Sequence, residues 1–131
     1  MSRAHARSGS PFEESIGFSR AVRVGDRVIV SGTAPIWQDG SCDGSVVVQA
    51  GRCFEIVAAA LEELGSSLRE VVRTRMYLVD AADAAAVGQV HRVAVGPAAP
   101  AATMVVVAAL LDPRWRVEIE VEAVAGSARE D

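Results

Sequence analysis

Six side chains in two alternating runs carry most of the chemistry open to this 131-residue chain. Glu118, Glu120 and Glu122 recur at two-residue spacing between Val117, Ile119 and Val121, and Arg73, Arg75 and Tyr77 alternate with Thr74, Met76 and Leu78. A strand sends successive side chains to opposite faces, so each run puts its polar members on one face and its apolar members on the other. Carboxylates are costly on a covered face, so the glutamate stripe must meet water, arginines or a ligand. Glu118 is the leading candidate for acid/base work, as a general base or a group that positions water. The alternative is a salt-bridged strand residue like Glu120 and Glu122. Ser31-Gly32 offers a hydroxyl and a close backbone approach to a ligand, or simply marks a bulge or turn. Ser31 has no visible His/Asp arrangement, which disfavours nucleophilic serine chemistry.

Other reactive groups are few. Cys42 and Cys53 lack metal-type spacing and read as structural or incidental. His5 and His91 cannot make a metal site, and His91, among Val87, Val90 and Ala94, reads as a packing or surface residue. All thirteen basic residues are arginine, so a lysine Schiff base is excluded. No metal or other cofactor is expected. Trp37 and Trp115 lie near turns, where they would either rim a cleft or cover the edge of the core.

These groups must be positioned by one domain. Residues 1–12 and 126–131 read as flexible tails around a domain spanning 13–125. Phe18–Val24 and Arg27–Gly32 form a hairpin across Gly25-Asp26, and Ala34–Trp37 could add a short strand. Ser45 is placed to cap a helix over Val46–Leu64 that stops at Gly65. Val71–Val79 is a strand; Asp80 and Asp83 then open a second helix that ends near Val95, at Gly96-Pro97. Two strands joined by a short turn close the chain. The expected fold is α+β, in the order β-β-(β)-α-β-α-β-β, with two helices on one face of a mixed sheet. The bare face would hold Arg73, Arg75, Tyr77, Arg116 and the three glutamates, whose charges can neutralise one another.

Half the residues are apolar and aromatics are scarce, an apolar balance that suggests surface covered by other subunits. A net charge of −4 argues against nucleic-acid binding. No apolar run is long enough to span a bilayer, and the N-terminus lacks the apolar stretch of a signal peptide, so a cytoplasmic protein is the default expectation.

Three segments resemble the Rid/YjgF family: Val28-Ile29-Val30-Ser31-Gly32, Val71–Asp80, and Pro100-Ala101 followed by a valine-rich strand and Val117-Glu118-Ile119-Glu120. The resemblance implies a chorismate-mutase-like fold, related to the ferredoxin-like folds, assembled as a homotrimer with small-molecule clefts between subunits. The best-known members hydrolyse enamines and imines such as 2-aminoacrylate; an arginine holds the substrate carboxylate, and a glutamate with backbone groups places the water. Other members have been credited with ribonuclease, translation-inhibiting or chaperone-like activity. Carried onto this chain, Ser31, Gly32 and Glu118 remain. The family's Pro-Ala-Arg-Ser-Cys pattern becomes Pro100-Ala101-Ala102-Thr103-Met104, so Ala102 stands at the arginine's position and Met104 at the cysteine's. Phe18 stands where a tyrosine is usual. Arg75 and Arg20 are the candidates to replace the missing arginine, each with a structural ion pair as its alternative role. Losing a charge-assisted bidentate contact forfeits about 1.5–3 kcal/mol per hydrogen bond. The expected function is a diverged hydrolase or tailoring enzyme for an enamine, imine or related carbonyl compound, with weak or absent 2-aminoacrylate deamination. The alternative is a non-catalytic trimer that binds a small molecule or a protein.

Overall fold

The alternation of residues 117–124 becomes β6 (Val117–Val124), the centre of a six-stranded mixed sheet in a computed structural model that describes residues 2–128. The other strands are β1 (Arg3–Ala6), β2 (Ala21–Val24), β3 (Arg27–Thr33), β4 (Val71–Leu78) and β5 (Ala101–Val106), in the order β1-β2-β3-β6-β4-β5. Every neighbouring pair is antiparallel except β4 and β5. Among the described residues three α-helices accompany the sheet: α1 (Pro11–Ile16), α2 (Val46–Glu63) and α3 (Ala84–Val95).

Local chemistry sets the helix ends. The Ser45 hydroxyl accepts from the Val48 N–H at 3.4 Å and opens α2. Beyond it Gly65 takes φ +80, and the N–H groups of Gly65 and Ser66 fold back onto the carbonyls of Glu62 and Leu61. Arg23 Nη1 donates to the Leu64 carbonyl at 2.7 Å and ties this helix end to β2. The Asp80 carboxylate accepts from the Ala82 N–H at 2.9 Å ahead of α3, which runs into a 3-10 turn at Gly96–Ala98. Ala99 leaves that turn at φ +47, a left-handed conformation that costs a side-chain-bearing residue roughly 1–2 kcal/mol.

Helices α2 and α3 pack on the same face of the sheet. That face is dry: Val117, Ile119, Val121 and Ala123 of β6 lie against Val57 and Leu61 of α2, all buried. Full burial of each large aliphatic side chain contributes about 1.5–3 kcal/mol. Gln49 is a polar member of this interior and is fully satisfied. Its Nε2 donates to the carbonyls of Asp43 (2.7 Å) and Arg114 (3.0 Å), and its Oε1 accepts from the Arg116 N–H (2.7 Å).

Five expectations need correction. Residues 1–12 do not form a free tail: Arg3–Ala6 pairs with β2, Ala6 is buried, and α1 begins at Pro11 under the Ser10 side chain. Gly126, at the start of the expected C-terminal tail, donates its N–H to Glu70 at 2.6 Å. Met1 and residues 129–131 of the two tails lie outside the described residues. Ala34–Trp37 is irregular; the third strand of the first half is β1 instead. The last two strands do not pair with each other but flank β4, across the connection 107–116. Arg116 leaves the bare face to bind Asp83 Oδ1 (2.7 Å) and the Gly44 carbonyl (3.0 Å).

Candidate functional site

On the uncovered face, the register places Arg73 beside Glu122, Arg75 beside Glu120 and Tyr77 beside Glu118. Two small networks result. Glu122 lies 4.0 Å from Arg27 and 3.9 Å from Arg73. Glu120 lies 3.7 Å from Arg75 and accepts a short hydrogen bond from the Tyr77 hydroxyl. That bond, with burial, pushes the Tyr77 phenol up. Glu118 takes part in neither network. Of the three glutamates in the stripe, it alone has no arginine within salt-bridge distance among the described residues.

Its surroundings are built by an irregularity in β3. Val30 faces Val121 and Thr33 faces Ile119, so three steps along β3 match two along β6 and leave an extra residue at Ser31-Gly32. This is a β-bulge, and both readings of the Ser-Gly pair are realised at once. Gly32 is what lets the Glu118 carboxylate lie against the strand, because a Cβ there would collide with Glu118 Oε2. The Ser31 hydroxyl donates to the Ser19 carbonyl (2.7 Å), and the Ser31 carbonyl accepts from Thr33 Oγ1 (2.8 Å). Ser31 therefore shapes the bulge.

Arg20 completes this corner. Its guanidinium donates to the Gly32 carbonyl and stands 5.9 Å above the Phe18 ring. Burial raises the proton affinity of Glu118; the positive charge of Arg20 opposes that rise and Glu120 adds to it. A half-buried carboxyl with raised proton affinity is a group suited to proton transfer.

The remaining expected residues fall elsewhere. Thr103 lies beside Arg75 on the uncovered face, whereas Ala102 lies beside Thr74 and Met104 beside Met76. Thr74 and Met76 point toward the helices, so Ala102 and Met104 share that side and Met104 packs against the core. Within one chain the sheet separates Ala102 from Glu118. Arg75 is occupied by Glu120 and does not reach Glu118. His91 serves packing: its Nε2 is 2.7 Å from Thr74 Oγ1, its ring meets Phe54 edge-on, and burial lowers its pKa. The Cys53 thiol contacts the Thr33 carbonyl at 3.2 Å, and burial pushes its pKa far up, which makes it unreactive. The Arg52 guanidinium lies 5.5 Å over Trp37. Among the described residues no group of His, Cys, Asp and Glu could hold a metal ion, and no helix is long and apolar enough to cross a membrane.

The structure thus gathers Phe18, Ser31, Gly32 and Glu118 around Arg20. From the sequence, Arg20 stands either as a replacement for the missing arginine or as a structural ion-pair partner. Its pairing was not visible, because it depends on the bulge carbonyl.

Known proteins share this architecture. An uncharacterised protein of Streptomyces coelicolor is 40% identical over 121 residues, covering 92% of this chain and 90% of that protein. The crystal structure of a YjgF/YER057c/UK114 family member from Mycobacterium tuberculosis superposes with a TM-score of 0.87 at 39% identity, covering 95% of this chain and 100% of the other. RidA from an Antarctic Psychrobacter gives a TM-score of 0.78 at 31% identity, covering 92% and 93%. The family model described as Endoribonuclease L-PSP matches residues 10–125. With that span and these relatives, the chain belongs to the Endoribonuclease L-PSP family, the YjgF/Rid proteins.

Proposed function

We propose that this protein is a diverged hydrolase or tailoring enzyme for an enamine, imine or related carbonyl compound without an essential carboxylate. It works in a cleft between subunits of a homotrimer. Glu118 is the group that positions and activates water. The observation that carries this reading is the half-buried Glu118 carboxyl of raised proton affinity, set against Gly32 and outside the arginine networks of its own strand. In the reaction, water adds to the C=N carbon as its proton passes to Glu118. The same carboxyl returns that proton to the nitrogen of the resulting carbinolamine, and as the C–N bond breaks the remaining hydroxyl proton passes to the departing nitrogen through solvent, leaving a carbonyl compound and ammonia or an amine.

The local charges support a substrate that is neutral or an iminium cation. Arg75 is engaged by Glu120, Arg20 is turned onto the Gly32 carbonyl, and Ala102, which can approach Glu118 only from a neighbouring subunit, offers only a methyl group. A substrate carboxylate near Glu118 would be repelled. The same pairing disfavours the phosphate chemistry implied by the family's name, because Arg73 and Arg75 already face carboxylates.

The test is product release from freshly generated imines with and without a carboxylate. Carboxylate-free imines should turn over and 2-aminoacrylate should not, and Glu118→Gln should lower kcat by roughly 10²–10⁴-fold. Equal turnover of both classes, or an unaffected Glu118→Gln variant, would sink the proposal. An Ala102→Arg variant that gains 2-aminoacrylate turnover would show that the rest of the site is competent. A second reading, a non-catalytic binding module, draws support from an open groove of about 570 Å³ between α2 and α3, lined by Val47, Phe54, Val90 and Val93. It predicts ligand retention without turnover in the same assay.

A further inference from the structure

Arg20 has features that a solvated surface arginine lacks. Its N–H donates to the Ala6 carbonyl (2.8 Å) and its own carbonyl accepts from the Ser31 N–H (3.0 Å), so it bridges β1 and β3 just ahead of β2. Its Nη2 donates to the carbonyl of Gly32, and its buried Nε has no partner among the described residues. The Phe18 ring forms a shelf beneath the guanidinium. Keeping a cation this dry is expensive unless nearby groups require its charge. Burial lowers the proton affinity of Arg20, and Glu13 first, then Glu118, oppose that effect.

We propose that Arg20 is the positioning residue of the Glu118 site: through the Gly32 carbonyl it fixes the bulge on which the carboxylate rests, and it sets a positive charge beside that carboxylate. This rests on the reading of Glu118 as the working group. It also explains why Arg20 does not replace the family's carboxylate-binding arginine, since one edge of its guanidinium is held by the backbone and its charge faces two carboxylates.

Charged and titratable groups approach this corner from every side. Glu120 on β6 itself, Tyr77 from β4 and Cys53 from α2 lie around Glu118, and Glu13 from α1 lies beyond Arg20. Among the described residues, Arg20 is the cation that bears on Glu118. The deciding experiment follows the Glu118 carboxyl by carbon-13 NMR across pH in the full chain, in Arg20→Gln and in Arg20→Lys. The glutamine variant should move the Glu118 midpoint upward, and the lysine variant should bring it part of the way back. An unmoved midpoint in the folded glutamine variant would overturn the proposal, as would a lysine variant with a midpoint as high as the glutamine variant's. Lysine cannot reproduce the planar fork, so the Gly32 amide resonance should shift in that variant. An unchanged Gly32 resonance together with an unchanged Glu118 midpoint would also overturn the proposal, and this pair of readings decides the matter if the glutamine variant does not fold. Neither reading requires turnover, so failure of imine hydrolysis and failure of this inference are separate results.

Discussion

The two faces of β6 solve opposite problems with alternate residues of one strand. Val117, Ile119, Val121 and Ala123 are sealed under the helices, while Glu118, Glu120 and Glu122 remain half-buried on the open side. The sealed face takes its stability from area removed from water, which salt does not screen and which has little tolerance for lost volume. The open face holds its charges in pairs of 3.7 to 4.0 Å with exposed partners, and such pairs contribute little to stability. Substitutions on one face should therefore damage folding, and those on the other should alter the site while leaving the fold intact. Glu118 marks the boundary between these roles, since it lies on the open face and, among the described residues, has no salt bridge beside it.

Ile119→Ala attacks the sealed face directly. It should cost about 2–5 kcal/mol in chemical denaturation. A loss below 1 kcal/mol would mean that the covered face is not the main source of stability. Gln49→Leu keeps the volume but strands the carbonyls of Asp43 and Arg114 and the Arg116 N–H. The expected cost is about 1–3 kcal/mol for each group left unsatisfied, reduced wherever water reaches the loop. Faster amide exchange at Arg116 would locate the damage. On the open face, Glu120→Gln should change stability by less than about 1 kcal/mol, with the difference shrinking as salt is added. A larger, salt-independent loss would show that this face is structural in its own right.

The smallest effects are the most discriminating, because the two faces titrate with opposite sign. Burial lowers the His91 pKa on the helix side, so the unfolded chain binds the extra proton. Its contribution is present above the unfolded value of 6.5 and is lost as pH falls through the folded value. Burial raises the Glu118 pKa on the open side, so here the folded chain binds the extra proton. Its contribution is present below the unfolded value of 4.5 and is lost as pH rises through the folded value. Denaturation curves across pH should show His91→Gln flattening the first slope and Glu118→Gln the second. If Glu118→Gln left the profile unchanged, the carboxyl would be better solvated than its position at Gly32 implies.

Period and punctuation made much of this molecule legible in advance. The alternation of β4 and β6 fixed which residues share a face, and Ser45 and Gly65 bracketed α2. The missing information was of three physical kinds. Arg3–Ala6 has no apolar alternation, because an edge strand of this length is held by backbone pairing with β2 and by one buried methyl, at Ala6. The placement of β4 between β5 and β6 depends on contacts distant in sequence, which local pattern does not encode. The role of Gln49 has no local signal, since its partners are backbone groups of loops brought near only by folding. At the site, Gly32 and Glu118 could be named from the family pattern, but the role of Arg20 could not. It required the phase change at Ser31-Gly32, which a linear pattern registers only as one more residue.

The sheet order also bears on how the protein is made. Val117–Val124 lies last in the element order yet occupies the middle of the sheet, with β3 on one side and β4 on the other. During synthesis, β1-β2-β3 and β4-β5 must wait as two incomplete halves, each presenting an unpaired inner edge. Such edges are where nascent chains pair wrongly with their neighbours. Val117–Val124 is thus both the scaffold of the candidate site and the closing piece of the fold, so the site cannot exist in any partly assembled form of the protein.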